Sequence, residues 1–199
     1  MLVLKLSLMQ PITTFQENHR FLSNFWPCTI VWEGLVYPSL EHAYAASRTD
    51  DPSAKMMIQS CPTPGEAKEW LAAHDMKPAV TWSIPKKLQV MKELLFLKFG
   101  GREPLLTRAL MSTGNAELIE GNTWNDTFWG VCNGTGENNL GKLLMKVRET
   151  LFEEKQRIEK HLSSTKTHQE LADAMSISRL ALYEKMMAFG ISQKKYLGY

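Results

Sequence analysis

Apolar and polar positions alternate along this chain at two different periods, and the period assigns the elements. Leu2, Leu4, Leu6 and Leu8 alternate with Val3, Lys5, Ser7 and Met9, the period-two pattern of a half-buried strand. Between residues 21 and 38 the chain reads as short extended segments and turns. Thr29-Ile30-Val31-Trp32 and Leu35-Val36-Tyr37-Pro38 are rich in β-branched and aromatic residues, and Glu33-Gly34 between them suits a hairpin turn. Helical spacing then takes over. Ser39 is placed as a helix cap, with Leu40, Ala43, Tyr44 and Ser47 following at helical intervals. A second helix is predicted over 64–73, with Pro64 near its first turn. A third covers 85–99, where Leu88, Met91, Leu95 and Phe99 are in register and Gly100-Gly101 stops it. Pro104 opens a fourth, to about Met111. Residues 121–139 are rich in Gly, Asn and Trp and have no period, so they read as a long loop. Leu140 to about His161 is helical again. The expected fold class is mainly α, with a small β element near the N-terminus.

Composition agrees with a packed domain: 44% of the 199 residues are hydrophobic and 22% charged, which excludes disorder, collagen-like repeats and a disulfide scaffold. The net charge of +2 is too small to predict a polyanion partner by itself. No run approaches the roughly 20 apolar residues of a membrane span. Lys5 and Ser7 interrupt the apolar start, and neither a basic start nor a small-residue cleavage site accompanies it, so no secretory signal is expected. Cys28, Cys61 and Cys132 are widely spaced with no CxxC pair. Neither a disulfide framework nor a structural zinc site is predicted, and a cytoplasmic location fits. The five histidines show no HxxxH or HExxH spacing, so no metal is expected; P-loop, Rossmann and Gly-x-Ser-x-Gly signatures are missing too, and no cofactor is implied.

Two places concentrate groups capable of chemistry. Glu41 opens the helix after Ser39, and Ala45 and Arg48 follow on the same face at i+4 and i+7. Glu41 and Arg48 would then stand roughly 10 Å apart along the axis, suited to flanking a ligand. An acid in a first turn can equally serve only the helix dipole. The second place runs from Glu120 to Gly130 and combines acids, amides and indoles, with Asp126 and Trp129 within it. A carboxyl beside tryptophan can acquire a raised pKa, which suits acid–base work, and indole faces can stack on a base. Tryptophans of a simple core would show the same composition.

The last part of the chain changes character. All six tryptophans precede residue 130, and residues 153–199 hold eight Lys/Arg against six Asp/Glu. The polar stretch 163–167 suits a linker or helix cap, which places a boundary between about 152 and 165. Beyond it, Gln169 to Met187 reads as helix, tight turn at Ser176, helix, the layout of a DNA-binding helix-turn-helix. Ser178 and Arg179 would open the recognition helix, with Lys185 further along it. A plain helical cap or a dimerisation element has the same pattern.

Several blocks in order resemble the NADAR family, also called YbiA-like: Phe21-Leu22-Ser23-Asn24-Phe25-Trp26-Pro27-Cys28, Ser39-Leu40-Glu41-His42-Ala43-Tyr44, Trp82 with Lys87 and Val90-Met91, Lys98-Phe99, Asp126 with Trp129-Gly130, and Gly136 through Asn138, Leu140-Gly141 and Met145 to Arg148. The resemblance runs from about residue 15 to 151, so the domains are set at 1–152 and 160–199, and the tail resembles the helix-turn-helix of Fis-type proteins. It implies a YbiA-like fold and hydrolysis of a ribose–nitrogen bond in a phosphorylated ribose N-glycoside. The substrates it implies are a ribosylaminopyrimidine phosphate of riboflavin synthesis, or an ADP-ribosylated guanine. It carries acid–base and electrostatic roles to Glu41 and Asp126, and base or sugar contacts to Trp82 and Trp129. Arg20, Asn24, Arg48 and Asn138 would bind the remainder of the substrate. Where the family commonly has a lysine, this chain has Arg48, whose guanidinium stays protonated. Another lysine substitutes, the reaction runs by direct displacement, or activity is reduced. The other reading is a nucleotide-binding sensor that regulates a DNA-binding tail.

Overall fold

The computed structural model describes residues 9–192. The predicted strand at 2–9 falls almost wholly outside them.

The hairpin forms where the sequence placed it. Strands β1 (Pro27–Trp32) and β2 (Leu35–Ser39) pair antiparallel, with Ile30 opposite Tyr37 and Trp32 opposite Leu35. Glu33 and Gly34 both take positive φ, 48° and 81°, the two-residue turn whose twist matches that of paired strands. Alternation along β1 turns Cys28 and Ile30 into the core. Helix α1 (Leu40–Ala46) starts directly at the end of β2. The Ser39 hydroxyl accepts the His42 backbone N–H at 3.3 Å and lies 2.7 Å from His42 Nδ1. The other ring nitrogen of His42 is 3.1 Å from the Cys61 carbonyl oxygen, which ties the helix start to the next layer. Every residue of α1 is buried, so it forms the central post of the domain.

Around that post stand α2 (Pro52–Gln59), α3 (Pro64–Ala73), α4 (Ile84–Phe99) and α5 (Pro104–Ser112), each opening on a proline in its first turn. Of these only α2 had escaped sequence reading. Met56 and Met57 are exposed on it, so its apolar residues do not mark one face, although Asp51 caps it at 2.8 Å through the Ser53 N–H. The long loop is nearly as expected, but it carries two-residue strands. Strands β3 (Gly121–Asn122) and β4 (Val131–Cys132) pair in parallel and fold 121–132 into a closed lobe.

Helix α6 (Asn139–Leu162) runs unbroken past residue 152 and ends inside the interval 152–165 in which a boundary was expected. Helices α7 (His168–Met175) and α8 (Arg179–Phe189) follow, joined across Ser176, which takes a left-handed φ of 56°. The pair packs back on α5 and α6. Leu171, Leu182, Met186 and Phe189 belong to the same apolar core as α4 and α6. Arg108 of α5 donates to the carbonyls of Met187 (2.6 Å) and Ala188 (3.2 Å), and Lys185 pairs with Glu154 at 2.6 Å. No helix among the described residues is long and apolar enough to cross a membrane.

Candidate functional site

A cavity of about 680 Å³ opens between the start of α1, the 3-10 helix Glu17–Leu22, α3, α4 and the 120–130 lobe. Segments more than 100 residues apart thus meet at one place. Among its lining residues are Arg20, Asn24, Glu41, Arg48, Trp82, Asp126 and Trp129, seven of the eight residues singled out in the sequence for catalysis and substrate contact.

Glu41 is the most deeply placed of them. Its backbone N–H donates to the Asn24 carbonyl at 3.0 Å. Burial raises its pKa to about 7, because the charged form loses water. Lys68, Asn24 and Arg48 oppose that shift, and the charge of Asp126 adds to it. The simple dipole role of a first-turn acid does not describe a carboxyl buried in a cavity wall.

Arg48 lies beyond the helix rather than on it. α1 is capped at Ser47, and Arg48 continues as a turn, its N–H donating to the Ala45 carbonyl at 3.2 Å. Its guanidinium donates to the Lys68 carbonyl at 3.2 Å. Arg48 therefore both faces the cavity and pins α3, the helix that presents Lys68. Lys68 and Lys87 are cationic lining residues; Lys87 stands in the Trp82 block of the family resemblance without an assigned role, and Lys68 was not singled out. Lys68 lies in a helix with no motif of its own, and nothing in the local pattern reveals which cavity it meets.

One wall is aromatic. Tyr44 lies between two indoles, 5.6 Å from the Trp82 ring at 56° and 5.6 Å from the Trp129 ring at 88°. Phe128 meets Trp129 edge-on at 4.9 Å, and the Lys87 ammonium sits 5.6 Å from the Phe128 ring centre. Such tilted and edge contacts suit the ring quadrupoles. Tyr44 and Trp124 extend the expected indole pair into a larger surface that can receive a flat base.

Asp126 is held by its own loop. One carboxylate oxygen accepts the Trp129 N–H at 2.9 Å, while the Asn122 side chain clamps the Asp126 N–H and carbonyl at 3.1 and 2.8 Å. Beneath the Ser23-Asn24 turn, the buried ammonium of Lys98 donates to the Ser23 carbonyl at 2.7 Å. Burial lowers the Lys98 pKa to about 8.

Asn138 is not among the cavity-lining residues. It caps α6 in a left-handed conformation, and its amide is spent on the Glu120 N–H (3.0 Å) and the Leu118 carbonyl (2.9 Å). The substrate contact expected of it is replaced by a backbone-holding role. In the tail, Ser178 caps α8 by accepting the Ala181 N–H at 3.1 Å, Arg179 is exposed, and Lys185 is engaged by Glu154. The outer side of α8 carries the exposed apolar residues Leu180, Tyr183 and Met187.

The NADAR domain model matches residues 12–152. N-glycosidase YbiA of Escherichia coli (strain K12) is 34% identical over 142 residues, covering 70% of this chain and 86% of that protein. A riboflavin biosynthesis protein of Vibrio vulnificus is 35% identical over 147 residues, 72% of this chain, yet this chain spans only 39% of that protein's length. The NMR structure of Escherichia coli YbiA superposes with a TM-score of 0.63 at 30% sequence identity, over 76% of this chain and 92% of that one.

Proposed function

The chain belongs to the NADAR domain family, with the YbiA-like N-glycosidases, and from that premise we propose that its cavity hydrolyses the ribose–nitrogen bond of a phosphorylated ribose N-glycoside. The observation that carries this reading is the buried Glu41 carboxyl, held near neutrality beside the Trp82–Tyr44–Trp129 wall. A carboxyl with a pKa of about 7 can hold or release a proton at working pH, which is what acid–base catalysis requires. Cleavage of the C–N bond sends its electron pair to the departing nitrogen, which takes up a proton. Water adds its oxygen to the anomeric carbon and loses a proton, so one water is consumed for each bond broken. The intervening state resembles an oxocarbenium ion, and nearby carboxylates stabilise its positive charge.

The other residues divide the substrate between them. The aromatic wall receives the base. Arg20, Arg48 and Lys68 provide cations for phosphate oxygens, with guanidinium groups suited to two-oxygen contacts. Arg48 replaces the expected lysine as a structural bridge to α3, and Lys68 brings an ammonium to the same cavity. The names of relatives favour a riboflavin-pathway ribosylaminopyrimidine phosphate; an ADP-ribosylated guanine offers the same bond and the same phosphate chemistry.

The test is direct incubation of the full chain with each of these two substrates, following release of the free base. Release from either, lost in Glu41→Gln, supports the reading. Binding of ADP-ribose without turnover of either substrate would make the cavity a sensor site instead. For the tail, the helix pair around Ser176 supports nucleic-acid contact through Arg179, read out as duplex binding that weakens with added salt.

A further inference from the structure

A third carboxyl faces the cavity, and neither the sequence blocks nor the comparisons give it a role. Glu120 lines the wall beside Asp126, at the head of the lobe. Its backbone is fixed on both sides: its N–H donates to Asn138 Oδ1 at 3.0 Å, and its carbonyl accepts the Val131 N–H at 2.8 Å. Gly130 packs directly on it. A Cβ at 130 would collide with the Glu120 carbonyl oxygen and lie 3.0 Å from its Cγ, so glycine leaves the space that this side chain occupies. The backbone of Glu120 is thus fixed by two hydrogen bonds and its side chain has the space left by Gly130, while its Oε2 is buried and finds no hydrogen-bond partner among the described residues. A buried carboxylate oxygen without a donor is costly, which favours the protonated carboxyl and makes this residue a place where a proton can be held on the cavity wall.

We propose that Glu120 is the second acid–base carboxyl of this site, taking the proton of the attacking water, and that Asp126 is a positioning residue. This rests on the N-glycosidase reading above. Water at the cavity face of the Glu120 carboxyl gains a base on the wall it lines. As its oxygen bonds to the anomeric carbon, the proton passes to Glu120, while Glu41 protonates the nitrogen that takes the electron pair of the broken bond. Asp126 already spends one oxygen on the Trp129 N–H, so its geometry serves the aromatic wall. Burial raises the Glu120 pKa to about 7, the charges of Asp126 and Glu41 add to that shift, and Lys68 and Lys98 oppose it. Its deprotonation thus falls in the range where a base is useful.

The experiment compares the wild-type full chain with Glu120→Gln, Glu120→Asp, Asp126→Asn and Asp126→Ala on the ribosylaminopyrimidine phosphate and on ADP-ribosylated guanosine, from pH 5 to 9. Glu120→Gln is expected to lose at least about 100-fold in kcat with KM little changed, and to lose the acidic limb of the pH profile. Glu120→Asp keeps the carboxyl and should recover part of the rate, which separates lost chemistry from lost folding. Asp126→Asn keeps an oxygen for the Trp129 N–H and should stay within about tenfold of wild type. Its acidic limb should move to lower pH, because a charge that raises the Glu120 pKa has gone. Asp126→Ala should raise KM as the wall loosens. Wild-type turnover with Glu120→Gln within tenfold and its acidic limb intact overturns the proposal and leaves the N-glycosidase reading standing. A wild-type chain that turns over neither substrate overturns both.

Discussion

The cavity and the C-terminal helix pair use their polar groups in opposite ways. In the cavity, Glu41 is buried and Glu120 half-buried, both carboxyls are pushed to about 7, and Glu120 Oε2 lacks a donor among the described residues. In the helix pair, two of the three residues that resemble a DNA-reading surface are already engaged, and the third, Arg179, is exposed. Ser178 caps its helix, Lys185 is paired with Glu154, and Arg108 closes the carbonyl end of α8. The first region stores free energy in incompletely satisfied charges, the second in apolar packing against α5 and α6. Stored electrostatic cost marks a place where a ligand completes the structure, whereas satisfied caps and a shared core stabilise the fold and leave Arg179 for contacts outside it.

Four measurements break or sharpen this contrast. Glu41→Gln carries the largest effect: a loss of about 10²- to 10⁴-fold in turnover, measured by base release, with the fold retained by circular dichroism. A variant within fivefold of wild type removes Glu41 from the chemistry. Next comes Leu182→Ala in the helix pair. Leu182 is 1% exposed, so its truncation should cost between about 2 and 5 kcal/mol in urea unfolding while leaving kcat unchanged at a temperature where the protein stays folded. A fall in kcat without a fall in stability would tie the tail to the chemistry.

The third measurement follows stability against pH. The folded-state pKa of Glu41 lies above its unfolded value, 4.5, so between 4.5 and about 7 the native state holds more protons than the unfolded chain. Stability should therefore fall as pH rises through that window, by up to about 3 kcal/mol from this group, and level off above it. Glu41→Gln should flatten the slope and be more stable than wild type at pH 8. An unchanged slope would show that Glu41 titrates normally. The smallest effect is expected at Ser176. A left-handed φ of 56° costs a side-chain-bearing residue about 1 kcal/mol, so Ser176→Gly should raise stability by about that much without changing turnover. A destabilised variant would mean that the turn is not strained.

Local pattern determined most of the architecture. Glu33-Gly34 can supply the two positive φ values a tight hairpin needs, Ser39 can cap α1, and the proline-led periodic stretches become α3, α4 and α5 within a residue or two. These are short-range choices, settled by sterics and hydrogen bonds within one turn of chain. Glu41, Asp126 and Trp129 were legible for a similar reason: each stands in a dense local cluster of chemically unusual residues.

Only the tertiary structure decided what those groups face. Lys68 comes from a helix with no motif, and Arg48, read as a helix-face residue, lies beyond the helix, where it lines the cavity and also holds α3. Asn138 has the composition of a binding residue but spends its amide on the backbone at Glu120 and Leu118. Glu120 itself looked like one more acid in a polar loop until Gly130 and Asn138 fixed it beside Asp126 in the cavity wall. The shift of a carboxyl pKa depends on water excluded and charges gathered by segments as distant as α1, α3 and the lobe. Desolvation and Coulomb energy depend on distance in space, to which spacing along the chain is blind.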